Sequence, residues 1–275
     1  MELDFLLLFS WFVTTAIISI SVLIICKPSE VQLNLEQVQK MFKNYWIHIF
    51  VGILAILSKF IVDNIDRSLM VKEQLDMTEL IFLIEGKSVL FFQETLRHNI
   101  LDFLLTHFYI IGLMTTTFCT FIFPLYFDDR KMANRVSTSI LWSYFLAVPF
   151  FLFFNVRVTG DYITEMESIA YNLSPEINSW FRTIDTFSNG MPSLHVALPL
   201  SAYLTLRNWN KNEWNKFQNF LLVMISLTIF SILYLGIHWI SDIFAGFIIA
   251  MLAVMISNKT NETFWEFTYS KLSSK

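Results

Sequence analysis

Charge is scarce in this chain. Of 275 residues, 15% are Asp, Glu, Lys or Arg, against 55% hydrophobic and 17% aromatic, and the mean hydropathy is +0.54. So little charge is foreign to a soluble domain and points to a membrane. A basic patch is missing as well: 19 Lys and Arg against 23 Asp and Glu leave a net charge of -4, which argues against nucleic acid as a partner. Cysteine is nearly absent. Cys26 and Cys119 both lie inside apolar runs, where they read as small buried hydrophobes and support neither a disulfide framework nor a Cys-rich zinc site. A soluble redox or zinc enzyme is thereby disfavoured. No internal repeat or low-complexity linker divides the chain, which reads as one membrane domain.

A cleavable leader is not expected either. MELDFLLLFSWFVTTAIISISVLIIC begins with acidic residues, and no small-residue cleavage site follows its apolar run. About 22 apolar residues suffice to cross a bilayer, so the segment is expected to be a permanent helix. Further runs able to cross the hydrocarbon fall near 45–62, 101–126, 137–157, 191–206, 217–237 and 239–257. The last two are continuous over roughly 41 residues, about 60 Å as one helix, so the chain must turn, and Gly236-Ile237-His238 is where it can. The expected fold is all-α, a polytopic transmembrane helix bundle of seven spans. Six is the competing count if the second run, which contains Lys59, lies along the surface instead. The abundant Phe and Trp are expected to face lipid and the interfaces.

Lysine and arginine placement orients the bundle. The loops 27–44, 127–136 and 207–216 and the C-terminal tail carry three basic residues each, twelve in all, while the segments on the other side carry six. Segments 63–100 and 158–190 are therefore expected to be extracytoplasmic. Within the first, TELIFLIEGKSVLFFQETL alternates apolar and charged residues as an amphipathic interfacial helix would.

Ionisable groups at the edges of spans are costly and are functional suspects. Arg157 ends the fourth span, His195 begins the fifth, and His238 and Asp242 begin the seventh; all four fall on the expected extracytoplasmic face. The i, i+4 spacing of His238 and Asp242 places both on one helical face, where the carboxylate can fix the tautomer of the imidazole. A self-satisfied polar pair has the same spacing. Gly246 continues that face and admits a close helix. In NGMPSLH, Gly190 permits an unusual backbone angle and Pro192 suits the first turn of a helix. The amides of that turn, with the Ser193 hydroxyl, form a natural phosphate site, although a helix cap beside an interfacial histidine fits the heptapeptide equally.

Taken together, PSLH at one helix start and HxxxD at another, 43 residues from histidine to histidine, resemble the type 2 phosphatidic acid phosphatase superfamily, whose second motif is PSGH and whose third contains HxxxD. PSLH, with Trp239 following His238, is most similar to the branch that includes inositol phosphorylceramide synthases. The resemblance runs from about Arg157 to Ala250. It implies a lipid phosphate substrate, an extracytoplasmic active site in the cell membrane, and no metal or other cofactor. His238 would be the nucleophile that becomes a phosphohistidine, Asp242 its orienting partner and His195 the acid for the leaving oxygen. Ser193, the backbone at Leu194, Arg157 and Arg182 would hold the phosphoryl oxygens. The chain is then divided into N-terminal spans with the interfacial helix, 1–100, and a phosphatase-like core, 101–275.

The sequence also departs from the family pattern. The first motif, KxxxxxxRP, is absent as a string, and Ile232 stands where the third motif usually carries arginine. Asp161 and Asp185 are candidates for headgroup recognition. Water as acceptor gives a phosphatase, the expected activity, and an alcohol acceptor gives a phosphotransferase. Two other classes remain in view: a metalloenzyme with His195, His238 and Asp242 as ligands, and a transporter using the histidines as a proton relay.

Overall fold

The computed structural model describes residues 2–70, 75–184, 186–209 and 212–273, so Asp185 lies outside the described residues. Among them are eleven α-helices and no strand: α1 Glu2–Cys26, α2 Leu35–Met70, α3 Thr78–Glu85, α4 Leu90–Leu96, α5 Asn99–Tyr126, α6 Arg130–Phe153, α7 Thr159–Tyr162, α8 Pro175–Ile184, α9 Leu194–Trp209, α10 Asn215–Tyr234 and α11 Ile240–Ser273. Helix is what a hydrocarbon solvent enforces, because each backbone polar group must find its partner inside the segment. The starts are set by side chains that accept the first free amides. Asn34 accepts from the Gln37 amide ahead of α2, His98 from Ile100 ahead of α5, and Asp129 from Met132 ahead of α6.

Six helices among the described residues, α1, α2, α5, α6, α10 and α11, are long and apolar enough to cross a membrane. The run at 191–206 is not one of them. It forms α9, 16 residues long, about 24 Å at the α-helical rise. This helix can be short because it is enclosed by α5, α6, α10 and α11, so protein rather than lipid surrounds its ends. The surface alternative for the second run fails. α2 is a 36-residue helix bent at Tyr45 that packs along α6 and α5, and Lys59 is paired with Asp63 at 2.5 Å one turn on. The expected turn holds: α10 ends at Tyr234, Gly236 takes φ +77°, and α11 begins four residues later.

The expected interfacial helix is two helices. Gly86 adopts φ +59°, a left-handed conformation open to glycine, and this breaks the run into α3 and α4. Both lie against the segment that leads to α9. Lys87 pairs with Glu165 and Arg97 with Glu167 at 2.6 Å, and the Arg97 hydrogen bond holds the Glu167 carboxyl below the ordinary carboxylate range. Gln93 donates to the carbonyls of Glu167 and Tyr234, 2.8 Å each. The loops at the other end touch one another too, through Tyr45–Asp128 and Trp214–Asp129. Residues 63–100 and 158–190 thus form one end of the bundle and the basic loops the other.

Candidate active site

Three backbone strands of contact build the site. Val156 donates to the Ser188 carbonyl and accepts from the Gly190 amide, 2.8 Å each, which lays the end of α6 along the NGMPSLH loop. The Ser193 amide then donates to the carbonyl of Asp242 at 3.0 Å, joining this loop to the start of α11. Gly246 makes that junction possible: a Cβ there would sit 2.7 Å from the Ser193 carbonyl oxygen.

Gly190 matters for the same reason and not for an unusual angle. A Cβ there would lie 2.7 Å from the Val156 carbonyl and 3.1 Å from the Asp242 carboxylate, while the positive φ in this loop belongs to Phe187. Pro192 is not in the first turn of α9. It precedes the helix, joined to Met191 by a cis peptide bond.

His238 and Asp242 do not share a helical face, because α11 begins at Ile240 and His238 lies ahead of it. Asp242 instead reaches back as a third-position capping carboxylate. One oxygen, Oδ2, accepts the Trp239 amide at 2.9 Å and the Nδ1–H of His238 at 3.0 Å. His238 is 3% exposed and Asp242 and Ser193 are fully buried, so this geometry is held away from competing water.

Hydrogen-bond bookkeeping now assigns the ring protons. With Nδ1–H given to Asp242, the Nε2 of His238 carries a bare lone pair. Facing that lone pair are the Ser193 hydroxyl at 3.1 Å and Nδ1 of His195 at 2.9 Å, both acting as donors. The Nε2 of His195 is then the acceptor, and Tyr109 on α5 donates its hydroxyl to it at 3.1 Å. The cluster is a chain of four groups, Tyr109, His195, His238 and Asp242, with Ser193 at its middle. It offers one nitrogen nucleophile or base beside one N–H donor.

Four of the seven residues expected at the site converge here: His195, His238, Asp242 and Ser193. Leu194 opens α9, so its amide belongs to the turn whose N–H groups lack helical partners, and it packs against the cluster formed by Val62, Ala147 and Phe151. The two arginines are engaged by carboxylates. Arg157 pairs with Asp76 at 2.7 Å with its side chain 41% exposed. Arg182 pairs with Asp161 at 3.1 Å with its side chain 50% exposed, and it stacks over the Phe187 ring. Arg157 reaches the site through its backbone, since its carbonyl accepts the indole N–H of Trp239 at 2.9 Å. Among the described residues no group of three or more His, Cys, Asp or Glu is disposed to hold a metal ion. His238 and Asp242 bond to each other instead of converging on a common point.

Two site residues were not legible beforehand. Tyr109 sits in a long apolar run, where tyrosine ordinarily reads as packing. Glu85, in α3, accepts from the amides of Ile240 at 2.9 Å and Ser241 at 2.6 Å. It caps α11 from outside, and the one available signal was an acidic residue within an otherwise apolar segment.

The family model of the PAP2 superfamily matches residues 82–256, more than half of the chain, and that stretch contains all seven expected site residues together with Tyr109 and Glu85. Among solved structures, the crystal structure of Aquifex aeolicus LpxE is similar at 21% identity and a TM-score of 0.46, over 66% of this chain and 93% of that one. No curated protein matches.

Proposed function

This chain belongs to the PAP2 superfamily, and on that premise we propose that it is an integral-membrane lipid phosphate phosphatase working through a phosphohistidine on His238. One observation carries the reading: the Nε2 lone pair of buried His238, locked by Asp242, faces an N–H of His195 and the hydroxyl of Ser193. A nucleophile, an acid and a phosphate-binding hydroxyl at one point suit phosphoryl transfer.

In the first step the Nε2 lone pair attacks phosphorus, and the bond from phosphorus to the lipid oxygen breaks. As the phosphate enters, His195 is doubly protonated, its Nε2–H given to the Tyr109 oxygen. The Nδ1 proton then passes to the lipid oxygen and leaves a neutral ring, so the lipid departs as an alcohol, or as a monophosphate if the substrate is a diphosphate. The substrate phosphoryl group enters between the two rings, whose facing nitrogens stand 2.9 Å apart. In the second step water attacks phosphorus, His195 takes a proton from it, and the bond to Nε2 breaks to release inorganic phosphate. Asp242 stabilises the imidazolium character of His238 as that nitrogen is loaded. The Ser193 hydroxyl and the amides that open α9 receive the equatorial oxygens. Arg157 and Arg182, each half exposed, contribute charge by exchanging their carboxylate partners for phosphate.

The site belongs to the end of the bundle formed by residues 63–100 and 158–190, and the excess of lysine and arginine on the opposite loops supports placing that end outside the cytoplasm. The test is incubation of the detergent-purified protein with labelled phosphatidic acid, polyprenyl diphosphate and sphingolipid phosphates, with and without inositol, followed by an alkaline denaturing quench. Release of phosphate with an acid-labile label on His238 is expected. Transfer to inositol would change the acceptor to an alcohol, and the absence of both turnover and label across the panel would sink the phosphatase reading.

A further inference from the structure

α2 precedes the stretch that the superfamily matches, yet its last turns reach the catalytic loop. Asp66 is fully buried and Asp63 is 4% exposed, an arrangement that persists only when such carboxylates are fully engaged. Asp66 accepts the Ser188 hydroxyl at 2.6 Å, and its other oxygen accepts the Asn155 side-chain amide. Asp63 accepts from the Asn189 side chain at 3.2 Å and pairs with Lys59. A turn beyond, Arg67 donates to the carbonyls of Arg182 and Thr183 at 3.1 and 2.9 Å. Arg182 and Thr183 on one side and Ser188 and Asn189 on the other are therefore held by one helix.

Ser188 and Asn189 immediately precede Gly190, where there is no room for a side chain: a Cβ would lie 2.7 Å from the Val156 carbonyl oxygen and 3.1 Å from the Asp242 carboxylate. Val62, on the same part of α2, belongs with Ala147 and Phe151 to the apolar cluster against which Leu194 packs.

We infer that Asp66, aided by Asp63, is a positioning residue: α2 clamps the loop before α9 so that Ser193 and His195 stand in register with His238. This rests on the phosphatase reading for its kinetic consequence but not for its structural one. A misplacement of about 1 Å of a reacting group can cost roughly a hundredfold in rate, so a clamp that acts through the loop should change turnover more than binding.

The test compares Asp66→Ala, Asp66→Asn, Ser188→Ala and the Asp66→Ala/Ser188→Ala double variant with the wild type, all as full-length chains in detergent. Asparagine keeps an acceptor for Asn155 and a donor for the Ser188 oxygen, so Asp66→Asn is expected to retain wild-type kcat within about threefold. Asp66→Ala and Ser188→Ala should each lower kcat roughly ten- to a hundredfold at a KM within about twofold of wild type. The double variant should be no slower than the slower single, as coupled partners are.

Hydrogen exchange gives a readout that needs no substrate. Amides of residues 186–193 should exchange faster in Asp66→Ala and in Ser188→Ala, with Asp66→Asn protected like the wild type. If Asp66→Ala does not fold, Ser188→Ala carries both readouts from the loop side. Unchanged exchange over 186–193 in the two alanine variants overturns the clamp, as does additive loss in the double variant or a normal kcat in both Asp66→Ala and Ser188→Ala beside a normally active wild type. A wild type inactive on every lipid phosphate would overturn the phosphatase reading alone and leave the exchange result to decide this one.

Discussion

The Tyr109 hydroxyl lies 3.1 Å from Nε2 of His195, the ring nitrogen that points away from His238. By donating there it leaves the proton of His195 on Nδ1, the nitrogen 2.9 Å from His238. Tyr109→Phe keeps the ring and removes that selection. A net hydrogen bond contributes about 1 kcal/mol, so kcat should fall roughly five- to tenfold, with KM and the thermal unfolding midpoint near wild type. Steady-state kinetics and a melting curve on the same preparation check this, and a rise in KM with kcat intact would contradict it.

Loss of an acid shows only when the leaving oxygen needs a proton. His195→Ala should slow release of an aliphatic lipid alcohol by about 10²–10⁴-fold, the range general acid catalysis supplies. An aryl phosphate whose phenol leaves as the anion should show a much smaller defect in the labelling step. His238→Ala should lose both substrates alike. Comparing burst labelling for the two leaving groups separates the roles, and equal defects in His195→Ala would remove the acid assignment.

Asp242→Asn preserves volume and can still accept at its carbonyl oxygen. Its amide, though, can donate to Nδ1 of His238 and favour the tautomer with the proton on Nε2, where no lone pair remains for attack. Substitution at the analogous position of a Ser-His-Asp triad costs roughly 10⁴-fold in kcat, and a loss of that order is expected here. Labelling under an alkaline quench should show no phosphohistidine, where the wild type shows one.

Glu85 accepts the first two amides of α11. Glu85→Ala should lower stability by about 1–2 kcal/mol, as removal of a helix cap does, which for a chain of this size is roughly a few degrees in the unfolding midpoint. Turnover should fall as well, because the freed turn carries Asp242. Glu85→Gln, which retains one acceptor oxygen, should recover part of both; an unshifted midpoint in Glu85→Ala would show that the cap is dispensable.

The apolar runs were readable because hydrocarbon demands a fixed length and internal hydrogen bonding, and the turn was readable because 41 continuous residues cannot fit in one crossing. His195, His238 and Asp242 stood out because ionisable side chains are rare at such positions. What the spacing of His238 and Asp242 meant was less accessible. Four residues suggested one helical face, whereas the chain uses the interval to let a capping carboxylate reach a histidine just outside the helix. The break at Gly86 was hidden because the apolar periodicity continues through it, and only the backbone angle reveals it. Asp63 and Asp66 carry no such local signal, because the loop residues they hold, Asn189 and Ser188, lie more than 120 positions away.

α9 spans about 24 Å at the α-helical rise, while the hydrocarbon it stands in is about 30 Å thick. If its far end, with Arg207 and Trp209, stands at one interface, its first turn stops about 6 Å short of the other, and Ser193 and His195 lie below the level a full-length span would reach. A lipid need not be lifted from the bilayer to react there. On that placement its phosphate would descend below the headgroups and shed bulk water on the way.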